Sequence, residues 1–164
     1  MTIDQTILRK TLSQFVTGVT IVTTRCRNGE PAGITANSFN SVSLDPPLIL
    51  WSIGRDSRSL STFENADYFA VHVLSEKQID LSSRFASVGG DKFEGLDTTS
   101  GLGHAPLLTD CAACLECSVF KRVPAGDHII YIGKVERLDF DHERSPLAYY
   151  QGRYARLENA GSIA

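Results

Sequence analysis

The 164-residue sequence has few of the features that mark nucleic-acid-binding, membrane or secreted proteins. Its 16 basic and 19 acidic residues give a net charge of −3, so it lacks the basic stripe that a general nucleic-acid binder needs. No apolar run approaches the length of about 20 residues that a membrane-spanning helix requires. Residues 1–5 have neither the basic nor the apolar region of a signal peptide. We therefore expect a cytoplasmic protein without nucleic-acid or membrane partners.

Several common catalytic motifs are also missing. There is no P-loop and no Gly-x-Ser-x-Gly turn, and the run 101–106 fails the dinucleotide-binding fingerprint at its third glycine. Cys111, Cys114 and Cys117 are spaced like part of an iron–sulfur or zinc run, but no fourth ligand follows at a matching interval. We expect the four cysteines to be free thiols and predict no metal site, with a metal cluster as the less favoured interpretation.

Strand-forming segments dominate the chain. Apolar spacing predicts a helix that begins after the N-cap Asp4 and ends at Gly18, and Asn28-Gly29 predicts a hairpin between strands 19–25 and 33–39. Further strands are predicted at 48–53, 68–74, 113–123 and 128–140, short helices at 57–65 and 76–86, and an irregular loop at 87–103. The expected fold is a single mainly β domain over residues 1–164, with few helices, in the form of a closed antiparallel barrel.

Three polar segments are candidates for binding chemistry. Residues 33–43 alternate small hydroxyl and amide side chains, which suit either a planar heteroaromatic ring or an ordinary polar turn. Residues 52–60 place arginines and serines at a predicted helix start, which favours either a bound phosphate or a simple N-cap with solvated charges. Asp127 and His128 are expected on opposite strand faces, so a Ser/His/Asp triad fits poorly, whereas His128 alone suits a ligand contact. His72, on an apolar strand, is expected in the core or at an interface.

Taken together, these segments resemble the short-chain flavin reductase family. Its members are split-barrel flavin:NAD(P)H oxidoreductases that serve as the small component of two-component monooxygenases. The matching pieces include Gly33-Ile34-Thr35-Ala36-Asn37-Ser38-Phe39, Ser41-Val42-Ser43-Leu44-Asp45-Pro46-Pro47, Gly126-Asp127-His128 and Pro146-Leu147-x-Tyr149-Tyr150-x-Gly152-x-Tyr154. The resemblance covers about residues 5–157. It implies an FMN-binding split β-barrel of Greek-key type that forms a homodimer.

The resemblance also implies roles for individual residues. The flavin ring and ribityl chain would meet Thr35, Ala36, Asn37, Ser38, Ser41, Val42 and Ser43. The flavin phosphate would be held by Ser52, Arg55, Ser57 and Ser59, and a loop with Phe85, Ala86, Lys92 and Phe93 would cover the flavin. The nicotinamide nucleotide would meet His128, Tyr149, Gly152, Arg153 and Tyr154, with His128 as the catalytic residue that orients the nicotinamide.

The implied function is hydride transfer from NADH or NADPH to loosely bound FMN or FAD. The reduced flavin would pass to a separate monooxygenase that acts on an aromatic or similar organic substrate. Two alternatives stay open: a split-barrel oxidase of the pyridoxamine phosphate oxidase type, and a non-catalytic flavin-binding protein. The chain departs from the frequent family pattern at His72, where Asn is common, and at Asn40, where Thr is common.

Overall fold

The computed structural model describes residues 3–158, so residues 1–2 and 159–164 of the predicted domain lie outside the described residues. Within that range the helices are α1 (Gln5–Leu12), α2 (Leu60–Glu64) and α3 (Ile79–Ala86), with a short 3-10 helix at Leu102–His104. The strands are β1 (Thr17–Gly18), β2 (Thr20–Arg25), β3 (Pro31–Ala36), β4 (Asn40–Leu44), β5 (Pro47–Gly54), β6 (Tyr68–Val73), β7 (Thr98–Ser100), β8 (Pro106–Leu108), β9 (Ala113–Ala125), β10 (His128–Phe140), β11 (Ala148–Tyr150) and β12 (Arg153–Ala155). Among these helices, none is long and apolar enough to cross a membrane.

The N-terminal helix begins where the sequence predicts. The Asp4 carboxylate accepts the backbone N–H groups of Thr6 and Ile7 at 2.7 and 3.0 Å, which satisfies two otherwise unpaired donors. The helix ends at Leu12 and not at Gly18, because Gly18 lies in β1 and pairs with Ala148 of β11. The prediction failed because apolar residues continue beyond the helix into the segment before β1.

One antiparallel sheet of seven strands, in the order β3-β2-β6-β9-β10-β5-β4, forms most of the molecule. The Asn28-Gly29 hairpin is confirmed, since β2 and β3 pair from Thr20–Ala36 to Arg25–Pro31. The 13-residue strands β9 and β10 form a long hairpin in the middle of the sheet. Gly126 has a φ of 60° at the first central position of their two-residue turn, a conformation that favours glycine.

The mainly β class is confirmed, but the sheet does not close into a barrel. In the range 3–158, no hydrogen-bonded ladder joins β3 to β4 or β5. Strands β3 and β4 are the two edges of the sheet. They are consecutive in the chain and are linked by residues 37–39. Because the four Cα–Cα steps from Ala36 to Asn40 span at most about 14 Å, the sheet must curl until its two edges come close at this link. The Ser38 hydroxyl binds this link to the backbone of β5. It accepts the Ser52 N–H at 2.9 Å and lies 3.2 Å from the Ser52 carbonyl oxygen.

Two apolar clusters fill the interior. The first is aromatic, with the Trp51 ring centroid 4.9 Å from that of Phe63 and 5.1 Å from that of Tyr131. The near-continuous apolar run 48–53 predicts a strand that is buried on both faces. Strand β5 instead alternates fully buried residues (Ile49, Trp51 and Ile53) with half-buried ones, so only one of its faces is fully covered. The second cluster lies beneath α3 and contains Val19, Ile21, Leu74, Phe85, Leu108 and Leu147.

His72 is a core residue, as predicted. Its ring is fully buried, with Nδ1 3.0 Å from the Ile21 carbonyl oxygen, while the Leu108 N–H donates to Nε2 at 3.1 Å. An acceptor on one side and a donor on the other fix the neutral ring with its proton on Nδ1. Burial lowers the pKa of His72 to about 4. The ring therefore bridges two backbone segments without carrying a charge.

Candidate active site

A cavity of about 910 Å³ opens beside the first half of β3 and the end of β5. The loop that follows α3 closes its other side. The lining residues are 30–34, Gly54, 56–59, Thr62, 85–93 and His128. Its volume lies within the range of about 300–1,000 Å³ that is typical of small-molecule and cofactor sites.

One wall of the cavity is a glycine backbone packed against aromatic rings. A Cβ on Gly33 would lie 2.3 Å from Phe85 Cε1 and 3.1 Å from Phe93 Cζ, so only glycine leaves room for both rings. The Phe85 and Phe93 rings meet edge to face, with centroids 5.1 Å apart. The Phe85 ring therefore covers the Gly33 backbone, and the half-buried Phe93 ring beside it forms an apolar wall that suits a flat ligand ring.

Lys92 joins the end of α3 to this wall. Its Nζ donates to the Phe85 carbonyl oxygen at 2.8 Å and lies 3.4 Å from that of Gly33. Burial lowers the pKa of Lys92, and the ion pairs found in the described part of the chain do not include it. A partly desolvated ammonium without a carboxylate partner attracts negative charge on a ligand in the cavity.

The polar segment before α2 also faces the cavity. Ser57, Arg58 and Ser59 are lining residues, and the Ser59 side chain makes no capping bond to α2. Arg55 lies outside the lining, and its backbone N–H donates to the Asp127 carbonyl oxygen at 2.9 Å. Because α2 has only five residues, its dipole adds little, and the positive charge at this end comes from Arg58. The predicted role of Arg55 as a phosphate ligand stays a prediction, and Arg58 is a lining residue that the prediction did not include.

His128 lies on the rim of the cavity, opposite Gly54 in the β5–β10 ladder. Its Nδ1 is 2.8 Å from the Asp127 carboxylate, and this hydrogen bond lowers the pKa of Asp127. The expected opposite orientation of the two side chains is wrong, because Asp127 belongs to the turn and not to the strand. With Nδ1 engaged by Asp127, Nε2 of His128 is the atom left for a ligand.

The structure brings together only part of the predicted site. Of the predicted flavin residues, those that line the cavity are Ser57, Ser59, Phe85, Ala86, Lys92 and Phe93. Those outside the lining are Thr35, Ala36, Asn37, Ser38, Ser41, Val42, Ser43, Ser52 and Arg55. The Thr35 and Ser38 hydroxyls already have partners, since Thr35 Oγ1 donates to the Ser82 carbonyl oxygen at 2.7 Å and Ser38 binds the Ser52 backbone. Their roles, like those of the edge strand β4, stay predictions.

The predicted nicotinamide residues divide into two places. His128 is at the cavity, whereas Tyr149, Gly152, Arg153 and Tyr154 form the β11–β12 hairpin outside the lining. Tyr149 and Tyr154 face each other across this hairpin with ring centroids 5.6 Å apart. The Tyr154 hydroxyl lies 2.9 Å from Ser82 Oγ of α3. Ser82 was not among the predicted site residues, because no local motif marks a helix serine whose partners are distant in sequence.

The cysteine run near β9 has no ligand geometry. All four cysteines are free thiols, and Cys117 is buried in the aromatic cluster. Burial raises the pKa of Cys111 to about 11 and those of Cys114 and Cys117 to about 12, so these thiols stay protonated. Between residues 3 and 158 we find no group of three or more His, Cys, Asp or Glu side chains placed to hold a metal ion.

Residues 12–158 match a family model described as the flavin reductase like domain. The chain belongs to the flavin reductase family. It is 42% identical over 158 residues to a probable flavin reductase of Rhizobium meliloti, covering 96% of this chain but only 50% of that protein. It is also 40% identical over 156 residues to the reductase subunit HsaB of a flavin-dependent monooxygenase of Rhodococcus jostii, covering 95% and 80%.

A solved relative shows the same fold. The NADH:FAD oxidoreductase SgcE6 of Streptomyces globisporus, in complex with NAD and FAD fragments, superposes with a TM-score of 0.91 at 36% identity, covering 97% of this chain and 96% of that one. The predicted family is thereby confirmed. The predicted enzyme class, an oxidoreductase that uses flavin and a nicotinamide nucleotide, is confirmed with it.

Proposed function

We propose that this flavin reductase family member transfers hydride from NADH or NADPH to FMN or FAD and delivers the reduced flavin to a separate monooxygenase. The observation that carries the proposal is the cavity wall of Phe93, packed against Phe85 and Gly33, beside the partly buried ammonium of Lys92. This wall fits a flat, negatively charged ligand. The relatives named as monooxygenase reductases support the delivery of reduced flavin to a partner.

A flavin bound in this cavity would supply the hydride-accepting chemistry that the lining side chains do not have. The half-buried Phe93 ring, packed against Phe85 and Gly33, would contact the ring system, and Ser57, Arg58 and Ser59 would bind the phosphate. Lys92 would stabilise negative charge on the reduced ring, because its ammonium is already fixed by two carbonyl oxygens and needs no reorganisation.

His128 would orient the nicotinamide through Nε2 while Asp127 holds its other nitrogen. No proton transfer by a side chain is needed for hydride to pass between two stacked rings. Holding the two ligands in contact lowers the barrier by several kcal/mol, up to about 7–11 kcal/mol for ideal alignment. The cavity therefore acts through binding and orientation, which agrees with its lack of a buried acid–base pair.

We also propose that two copies of the chain pair through α1. In the single chain the apolar residues of α1 and of the segments beside it are between 43% and 74% exposed: Ile3, Ile7, Leu8, Leu12, Phe15 and Val16. An apolar surface of this kind is typical of an interface. In such a homodimer the curled sheet would form the split barrel of Greek-key type. Replacing Leu12 with Glu would then shift the sedimentation coefficient from that of a dimer to that of a monomer.

A cytoplasmic location and a single domain over residues 1–164 complete the proposal. The four cysteines support the location, because free thiols persist in a reducing compartment. The seven-stranded sheet supports the single domain, since it draws its strands from residues 20–140 and leaves no separate unit within that span.

The deciding experiment follows NADH and NADPH oxidation by absorbance, with and without added FMN, FAD or riboflavin. We expect oxidation that requires flavin and saturates with it. His128→Ala should raise the KM for the nicotinamide nucleotide more than it changes flavin affinity. Tight flavin retention without NAD(P)H oxidation would reject the reductase in favour of a binding protein, and oxidation of an added amine would favour an oxidase.

A further inference from the structure

A buried serine connects the two parts of the predicted site. Ser82, in the middle of α3, is 0% exposed, and its hydroxyl lies 2.9 Å from the Tyr154 hydroxyl of the β11–β12 hairpin. Its backbone carbonyl accepts the Thr35 hydroxyl of β3 at 2.7 Å. One residue thus contacts the hairpin on one side and the flavin-side strand on the other, across sequence separations of 72 and 47 residues.

The same helix forms the aromatic wall of the cavity. Phe85 is three residues after Ser82, so the two side chains point to the same side of α3. Phe85 is fully buried in the second cluster, against which Tyr149 and Tyr154 also pack. Close-packed protein interiors are hardly compressible, so a displaced side chain displaces its neighbours. A shift of Tyr154 therefore moves α3 and, with it, the ring that lines the cavity.

We propose that Ser82 is a positioning residue that couples the β11–β12 hairpin to the flavin side of the cavity, so that flavin and nicotinamide nucleotide bind cooperatively. This rests on the proposed function, in which the cavity takes the flavin, and on the predicted contact between the β11–β12 hairpin and the nicotinamide nucleotide. Ser82 itself touches neither ligand. It acts through Tyr154 on one side and through Thr35 and Phe85 on the other.

The test measures the dissociation constant of oxidised FMN by fluorescence, with and without saturating NAD⁺, which cannot reduce it. In the unaltered chain we expect NAD⁺ to tighten FMN binding by about fivefold or more, the lower end of typical couplings between sites. Ser82→Ala should bring this factor below about twofold while changing FMN affinity in the absence of NAD⁺ much less. Tyr154→Phe removes the same hydrogen bond and should have the same effect. The double variant should lose no more than either single one.

Ser83→Ala is the matched control. Ser83 is the next residue of α3, is exposed, and bonds only within the helix, to the Ile79 carbonyl oxygen at 3.0 Å. It should keep the full coupling. If Ser82→Ala does not fold, Tyr154→Phe decides together with its NAD⁺ affinity measured without FMN: lost coupling with that affinity unchanged supports the inference, and preserved coupling overturns it.

Unchanged coupling in Ser82→Ala and Tyr154→Phe would overturn the inference, as would equal weakening of both ligands with the coupling preserved. Absence of coupling in the unaltered chain would overturn it too. That last result would leave the proposed function standing if the same preparation oxidises NAD(P)H with added flavin. The two proposals therefore fail separately.

Discussion

Replacing Gly33 with alanine tests whether the aromatic wall sets the shape of the cavity. The new Cβ would lie 2.3 Å from Phe85 Cε1 and 2.7 Å from Cδ1, whereas carbon atoms ordinarily approach to about 3.5–4.0 Å. The ring must retreat by more than about 1 Å within a close-packed cluster. Overpacking of this kind costs about 1–3 kcal/mol. For a chain of this size the melting temperature should fall by roughly 2–12 °C, and FMN affinity should fall with it.

Gly18→Ala is the control for this variant. A Cβ on Gly18 meets no atom within 4 Å and its φ is not positive, so the change should be neutral or stabilising by about 0.4–1 kcal/mol. Adding Phe85→Leu to Gly33→Ala removes the ring edge that clashes with the new Cβ. The double variant should therefore lose less stability than the sum of the losses in Gly33→Ala and in Phe85→Leu. Thermal melts and FMN titrations compare the unaltered chain with Gly33→Ala, Gly18→Ala, Phe85→Leu and the double variant. Full stability and FMN affinity in Gly33→Ala would refute the reasoning, as would an equal loss in Gly18→Ala.

Three further predictions concern single side chains. The pKa of His72 is about 6.5 in the unfolded chain and about 4 in the folded chain, so the unfolded chain binds the proton first as the pH falls. The free energy of unfolding should therefore be highest above pH 6.5 and fall by up to about 3 kcal/mol as the pH drops to 4. Urea midpoints measured across this range check the prediction, and a midpoint that does not change with pH would contradict it. Ser38→Ala leaves the Ser52 N–H without its hydrogen-bond partner and should lower the free energy of unfolding by about 1–3 kcal/mol, measured with urea. An unchanged urea midpoint would show that this hydrogen bond does not stabilise the link between β3 and β4. Lys92→Met should weaken FMN binding about tenfold or more, measured by titration. Lys77 is exposed, and Lys77→Met should leave FMN binding unchanged. Equal effects of the two substitutions would show that Lys92 does not bind the flavin.

The elements that the sequence predicts well are those with local signals. Asn28-Gly29 gives the first hairpin its turn, and the two long strands β9 and β10 match their predicted spans closely because Gly126 and Asp127 separate two β-rich runs. The buried strand β6 and the core position of His72 follow in the same way from a short apolar run. The family resemblance added the cavity residues Phe85, Ala86, Lys92 and Phe93, which no periodicity marks.

What the sequence could not predict depends on contacts between distant segments. In the range 3–158 the sheet stays open because no ladder pairs its edge strands β3 and β4, and the composition of a strand does not show whether it lies at an edge. Arg58 lines the cavity and Arg55, three residues earlier, does not, because the turn after β5 decides which of its side chains face the cavity. The two-residue strand β1 is recognisable only through its partner β11, about 130 residues away.

The position of the β9–β10 hairpin at the centre of the sheet has a consequence for folding during synthesis. Strands β2, β3 and β6 join the sheet on one side of this hairpin, and β4 and β5 join on the other. All five are synthesised before residue 113, at about 5–20 residues per second. Until β10 leaves the ribosome these two groups share no partner strand, and both carry open edges. We therefore expect the nascent chain to hold two small separate sheets, which the last long hairpin joins into one.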